Sequence, residues 1–175
     1  MAEGNFPACL ALVLKDEGGN DDDPADHGGR TSRGITQREY DAWRAENGQP
    51  ARDVWSADQA EIEAIYRDEY WQPWCDLLPV GIDYLYFDMA VNAGPHQATV
   101  LLQRALGVTD DGRIGPVTRG AIKGANPVTL IHDYSDAKRK FYFSLDQPRF
   151  TRGWLNRTDH VEKAALAMLT ERQPP

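Results

Sequence analysis

The chain has 175 residues and a formal net charge of −8, a length that supports one compact domain or one domain with two lobes. An acidic balance of this size does not suit nonspecific nucleic-acid binding or an anionic membrane surface. No apolar run reaches the ~20 residues of a membrane-spanning helix.

The first apolar stretch, Phe6 to Leu14, places Phe6, Cys9 or Leu10, Val13 and Glu17 at helical spacing. Gly18 and Gly19 suit the C-terminal cap of that helix. A carboxylate at Glu17 is expected to be disfavoured as an anion, because it ends an apolar stripe and lies near the negative end of the helix dipole. Asp16, Asp21, Asp22, Asp23 and Asp26 add like charge in the same segment. Each effect raises the pKa, as a general acid near neutral pH requires.

From Gly18 to Ile35 the glycines and short polar residues predict turns and a small hairpin. Asp21 and Asp23 start like a calcium loop, but Ala25 occupies the third ligand position, and the Cys and His spacings give no zinc motif. Neither a metal nor an organic cofactor is expected.

Thr36 to Glu39 is a capping box that opens a helix to about Glu46, stopped by Asn47-Gly48. Ser56 to Gln59 is a second capping signature, predicting a helix to about Trp71 that Pro73 ends. A helix is expected over Tyr84–Ala93. Gly94-Pro95 starts the next, which ends at Gly107, and Gly115-Pro116 and Asn126-Pro127 start two more. The last helix is expected from about Val161 to Thr170. Cys9 and Cys75 are expected to be buried thiols. The reading is a mainly α (α+β) protein with a small β-hairpin insert.

The run from Glu17 to Thr36 contains E-G-G, then D-P-A-D, G-G, T and G-I-T in order. It resembles the opening motif of the phage-type N-acetylmuramidases of glycoside hydrolase family 108. Ile65 to Trp71 and Phe87 to Gly94 look like that family's Y-R-x-x-Y-W and F-D-x-A-V-N-x-G segments. The run L-Q-x-x-L-G-x-x-x-D-G-x-x-G-P-x-T, from Leu102 to Thr118, looks like its C-terminal peptidoglycan-associated segment.

The resemblance implies a lysozyme-like two-lobed fold over 1–175, with a catalytic lobe over 1–79 and a helical peptidoglycan-associated lobe over 80–175. It implies that Glu17 is the general acid, that Asp26 positions or activates water, and that Thr31 helps hold it. Asp23 is the alternative to Asp26. The implied activity is that of a lysozyme or muramidase, an endolysin acting on bacterial peptidoglycan. A lytic transglycosylase and a non-catalytic peptidoglycan-binding or scaffold protein on the same fold are the alternatives.

Asp88 and Asn92, one helical turn apart, are expected to project into one cleft. Trp71 and Trp154 are candidate platforms beneath sugar faces, with Trp74, Tyr84 and Tyr86 also considered. Trp154 is expected near a surface turn between Arg152 and Arg157. The basic residues from Lys138 to Arg157 either face the wall's peptide carboxylates or pair with Asp133, Asp136 and Asp146. A monomer is expected. Met1 to Asn5 carries no positive charge and Pro7 breaks the run that follows, so no signal peptide is expected. The chain is then made in the host cytoplasm and acts in the periplasm or cell wall after release, either through a holin, as in the phage endolysins it resembles, or through a dedicated bacterial system; the sequence does not choose between the two.

Overall fold

The computed structural model describes residues 4–16, 20–21 and 30–171, and for 16, 20, 21 and 73 the backbone alone. The chain divides into two compact units, one spanning Phe6–Glu69 and the other running from Tyr70 onward together with Asn5. The described elements are mainly α-helical.

The first unit opens with α1 (Phe6–Asp16), which buries Phe6, Cys9, Leu10 and Val13. Three two-residue strands follow, β1 (Asn20–Asp21), β2 (Thr31–Ser32) and β3 (Ile35–Thr36), in an antiparallel sheet of order β1-β2-β3. Arg33 and Gly34 form the two-residue loop between β2 and β3, with φ of 50° and 80°. Two positive φ values in succession are the signature of a type I′ hairpin turn, and glycine supplies one without strain. Helix α2 (Gln37–Glu46) starts on Thr36 as expected, with both halves of the capping box formed.

The second predicted cap is corrected. Asp58, not Ser56, caps α3 (Gln59–Tyr66), in a capping box with Glu61, while Ser56 closes a 3₁₀ turn over Val54–Ser56. Glu61 also accepts from the Tyr40 hydroxyl at 2.7 Å and pairs with Arg44 and Arg52. A single carboxylate thus holds a helix start and ties α2 to α3. Pro73 does not end the helix either. A π-helical turn over Arg67–Trp71 leads into α4 (Gln72–Cys75), and Pro73 sits in the first turn of α4, where its missing N–H costs nothing.

In the second unit, α5 (Ile82–Ala105) packs on α7 (Pro127–Ser144) and α8 (Pro148–Glu171). Residues 82–90 of α5 are all buried, the pattern of a helix surrounded on every side. Gly94, at φ 84° and ψ 154°, breaks α5 before Pro95, as the Gly-Pro pair predicts. Helix α6 (Pro116–Gly124) and α7 both begin at their prolines. The last helix is corrected: α8 begins at Pro148, well before Val161, so Trp154 stands on a helix and not in a turn. Cys9 and Cys75 are thiols, each fully buried.

Gly81 precedes α5 at φ 87°, and a Cβ there would lie 2.6 Å from the Ala165 carbonyl oxygen on α8. Gly81→Ala is therefore expected to destabilise the fold by about 3 kcal/mol, from ~1–2 kcal/mol of left-handed backbone strain and ~1–3 of overpacking. Denaturant unfolding checks this, and a midpoint equal to wild type would refute the close packing of α5 on α8.

Candidate active site

Glu17, Asp23, Asp26 and His27 lie outside the described residues. The described frame begins at α1, which ends at Asp16, immediately before Glu17. Thr31 lies half-buried on the central strand, opposite Asp21 on one side and Thr36 on the other.

The hairpin carrying Thr31 is pinned at several points. The Thr31 carbonyl accepts from the Trp55 indole N–H at 3.0 Å. Arg30 pairs with Asp53 at 2.7 Å, and its guanidinium lies 4.5 Å over the Trp55 ring. Asp53 also accepts from the Trp55 backbone N–H at 2.9 Å. Arg33 donates to Gln59 at 2.8 Å and to the Ala57 carbonyl at 3.0 Å, and its own carbonyl accepts from the Tyr66 hydroxyl at 2.7 Å. Backbone and side-chain bonds together thus fix the strand that presents Thr31.

Trp55 is the residue that sequence reasoning missed. It is 41% exposed, yet its N–H and one ring face are held. An indole fixed in place and open to solvent beside Thr31 is a ready apolar platform. No local pattern marks it, because its partner lies 24 positions away. In the same unit the Glu69 carboxyl is pushed up by burial and by the nearby charges of Glu46, Glu39 and Asp68.

The predicted substrate contacts divide. Trp71 is fully buried, packed edge-on to Phe87 with ring centroids 5.3 Å apart, and its N–H donates to Asp76 at 2.9 Å. Asp88 is also fully buried, bonded to Lys138 Nζ at 2.5 Å and Arg157 Nε at 2.8 Å. Both expectations are corrected: the two side chains serve the core of the second unit and show no face to a cleft. Asn92 is exposed, and its amide donates to the Asp88 carbonyl at 2.6 Å. Trp154 is partly exposed, stacked on Tyr142 and Phe150 at 5.2 and 5.7 Å. Of the other aromatics considered, Tyr84 and Tyr86 are buried, and burial holds the Tyr86 hydroxyl up at about 12.

Three residues of the basic stretch are ion-paired within the protein. Lys138 and Arg157 meet Asp88, while Arg139 bridges Asp136, Asp159 and Glu162. The Leu102–Thr118 motif is a structural knot. The Gln103 amide donates to Asp111, the Arg113 carbonyl and Thr118, and accepts from the Gly112 N–H at 2.8 Å. Among the described residues, no group of three or more His, Cys, Asp or Glu is placed to hold a metal ion.

Residues 10–94 match the family model of glycosyl hydrolase 108, and residues 97–159 match that of a predicted peptidoglycan domain. Among solved structures the chain is similar to Brucella abortus SagA, at 33% sequence identity and a TM-score of 0.80. That match covers 95% of this chain and 97% of SagA. No curated protein matches the chain.

Proposed function

Because the chain belongs to the glycosyl hydrolase 108 family, we propose that it is an N-acetylmuramidase cleaving the β-1,4 bond between N-acetylmuramic acid and N-acetylglucosamine. At the coarser level it is a glycoside hydrolase of peptidoglycan, with a peptidoglycan domain after the hydrolase region. The observation that carries the finer reading is the ordered run from Glu17 to Thr36 inside the hydrolase match.

In this reading Glu17 protonates the leaving oxygen, and water oriented by Asp26 and Thr31 attacks the anomeric carbon. Carboxyl groups ~6.5–9.5 Å apart leave room for that water and give inversion, whereas ~5–5.5 Å favours a covalent retaining route. The fixed hairpin supports the role of Thr31, since a water-holding hydroxyl acts only when its position is set in advance. The chain works as a monomer on glycan strands and reaches the wall after release from the cytoplasm.

Mass spectrometry of digested sacculi tests the reading. A reducing muramic acid end is the expected product. An anhydro end would make the protein a lytic transglycosylase, and no release would make it a binding or scaffold protein.

Trp55 is assigned as a glycan platform beside Thr31. Trp55→Ala is expected to raise KM about three- to tenfold with kcat little changed, from the ~1 kcal/mol of ring contact removed. Trp55→Phe, which keeps an apolar ring, is expected to recover most of that loss. A fall in kcat at constant KM would instead make Trp55 a support for Thr31 alone.

A further inference from the structure

The second unit carries a groove of about 430 Å³ whose walls include Trp74, Leu77, Ile114 and Ile122, with Arg119 and Lys123 alongside. Leu77 is 43% exposed and Trp74 half-buried, so the apolar surface faces solvent. Arg119 and Lys123 lie one turn apart on α6, where i, i+4 side chains are neighbours. The Arg119 guanidinium sits 4.7 Å over the Trp74 ring, and its Nε donates to the Ile114 carbonyl at 3.3 Å. Neither cation is ion-paired with a carboxylate among the described residues. The less exposed cations differ: Arg44, Lys138, Arg139 and Arg157 all have internal carboxylate partners.

The groove's chemistry selects its ligand. None of its lining side chains is Asp, Glu, Asn, Gln, Ser or Thr. The groove thus lacks the carboxylate, amide and hydroxyl side chains that help fix sugar hydroxyls. Two adjacent unpaired cations beside an indole and branched aliphatics instead complement a short chain bearing methyl groups and carboxylates. In peptidoglycan that chain is the stem peptide, with its alanine methyls and free carboxylates. Local cationic character also matters in a chain of net charge −8, since overall charge repels an anionic wall and only a local pair can reverse that.

We infer that this groove binds the peptide stems of peptidoglycan, with a stem carboxylate on Arg119 and Lys123 and apolar side chains against Trp74. The inference rests on the reading that peptidoglycan is the substrate. Arg119 and Lys123 lie within residues 97–159, the part matching the predicted peptidoglycan domain. The groove thus gives that match a site, and makes recognition depend on the peptide as well as on the glycan.

Calorimetric titration of the full chain tests it, using a purified disaccharide–tetrapeptide and the same disaccharide without peptide. The peptide-bearing ligand is expected to bind at least about tenfold more tightly, with affinity falling as salt rises. Arg119→Gln/Lys123→Gln is expected to lose about tenfold in that affinity. The exposed pair Lys140→Gln/Lys163→Gln controls for general charge and is expected to lose little. Equal affinity for the two ligands, an unchanged Arg119→Gln/Lys123→Gln variant, or an equal loss in the control each overturns the inference. Both double variants alter exposed side chains, and circular dichroism confirms their fold. Hydrolysis of sacculi by wild type is measured separately. Peptide-dependent binding without hydrolysis would support the groove while refuting the muramidase reading.

Discussion

Glu17→Gln is expected to give a folded protein that releases no soluble muropeptides from sacculi. Glutamine keeps the shape of the side chain but has no acidic proton to deliver. General acid catalysis is typically worth ~10²–10⁴-fold, so turnover should fall by at least about a hundredfold. The fold should persist, because the apolar stripe of α1 on Phe6, Cys9, Leu10 and Val13 is untouched. Melting temperature should be unchanged or slightly higher, since a carboxylate at the negative end of a helix dipole is expected to be disfavoured as an anion. Near wild-type release of reducing ends by a correctly folded variant would sink the assignment of Glu17.

Asp88→Ala is expected to cause the largest loss of stability. Lys138 is fully buried, and Asp88 neutralises it at 2.5 Å while also accepting from Arg157 at 2.8 Å. Removing the carboxylate strands an ammonium away from water, and breaking a buried pair in this way costs ~3–5 kcal/mol. For a chain of this size that lowers Tm by on the order of 10 °C. Asp88→Ala/Lys138→Met should recover much of the loss, because it removes both buried charges and refills volume with an apolar chain. Arg157, which is partly exposed, can then turn to solvent.

The same site predicts a pH dependence. Burial pushes the Asp88 carboxyl up, but Lys138 and Arg157 together outweigh it and hold the group below the usual carboxylate range. Below the ordinary carboxylate value of ~3.9 the unfolded chain takes up a proton more readily than the folded one. The stability from Asp88 is therefore fully present above about pH 4 and is lost as pH falls through the folded pKa. Acid unfolding followed by circular dichroism should be shallower below pH ~4 in Asp88→Asn than in wild type. A wild-type Tm for Asp88→Ala would show that the pair carries no stability.

What the sequence determined by itself is local. Thr36 with Glu39, Pro116 and Pro127 mark helix starts, Gly94-Pro95 marks a break, and Gly34 permits the hairpin turn, because each acts through its own dihedrals or a bond three residues away. The ordered motif from Glu17 to Thr36 is likewise readable without coordinates, and it pointed to the family. Tertiary structure decided the rest, wherever the partner was distant. Ser56 to Gln59 reads as a capping signature, but Asp58 caps the helix instead, in a box whose Glu61 is also held by Tyr40, Arg44 and Arg52. Gly153 weakens the helical signal in the first turns of α8, but Arg157 there reaches Asp88, 69 positions away. Asp88 and Asn92 share a helix face in sequence, yet Lys138, 50 positions on, draws the carboxylate into the core. Trp55 becomes a candidate platform only because the fold brings it to Thr31. Dihedral preferences act within a turn of chain, whereas burial and charge pairing are settled by residues that only folding brings together.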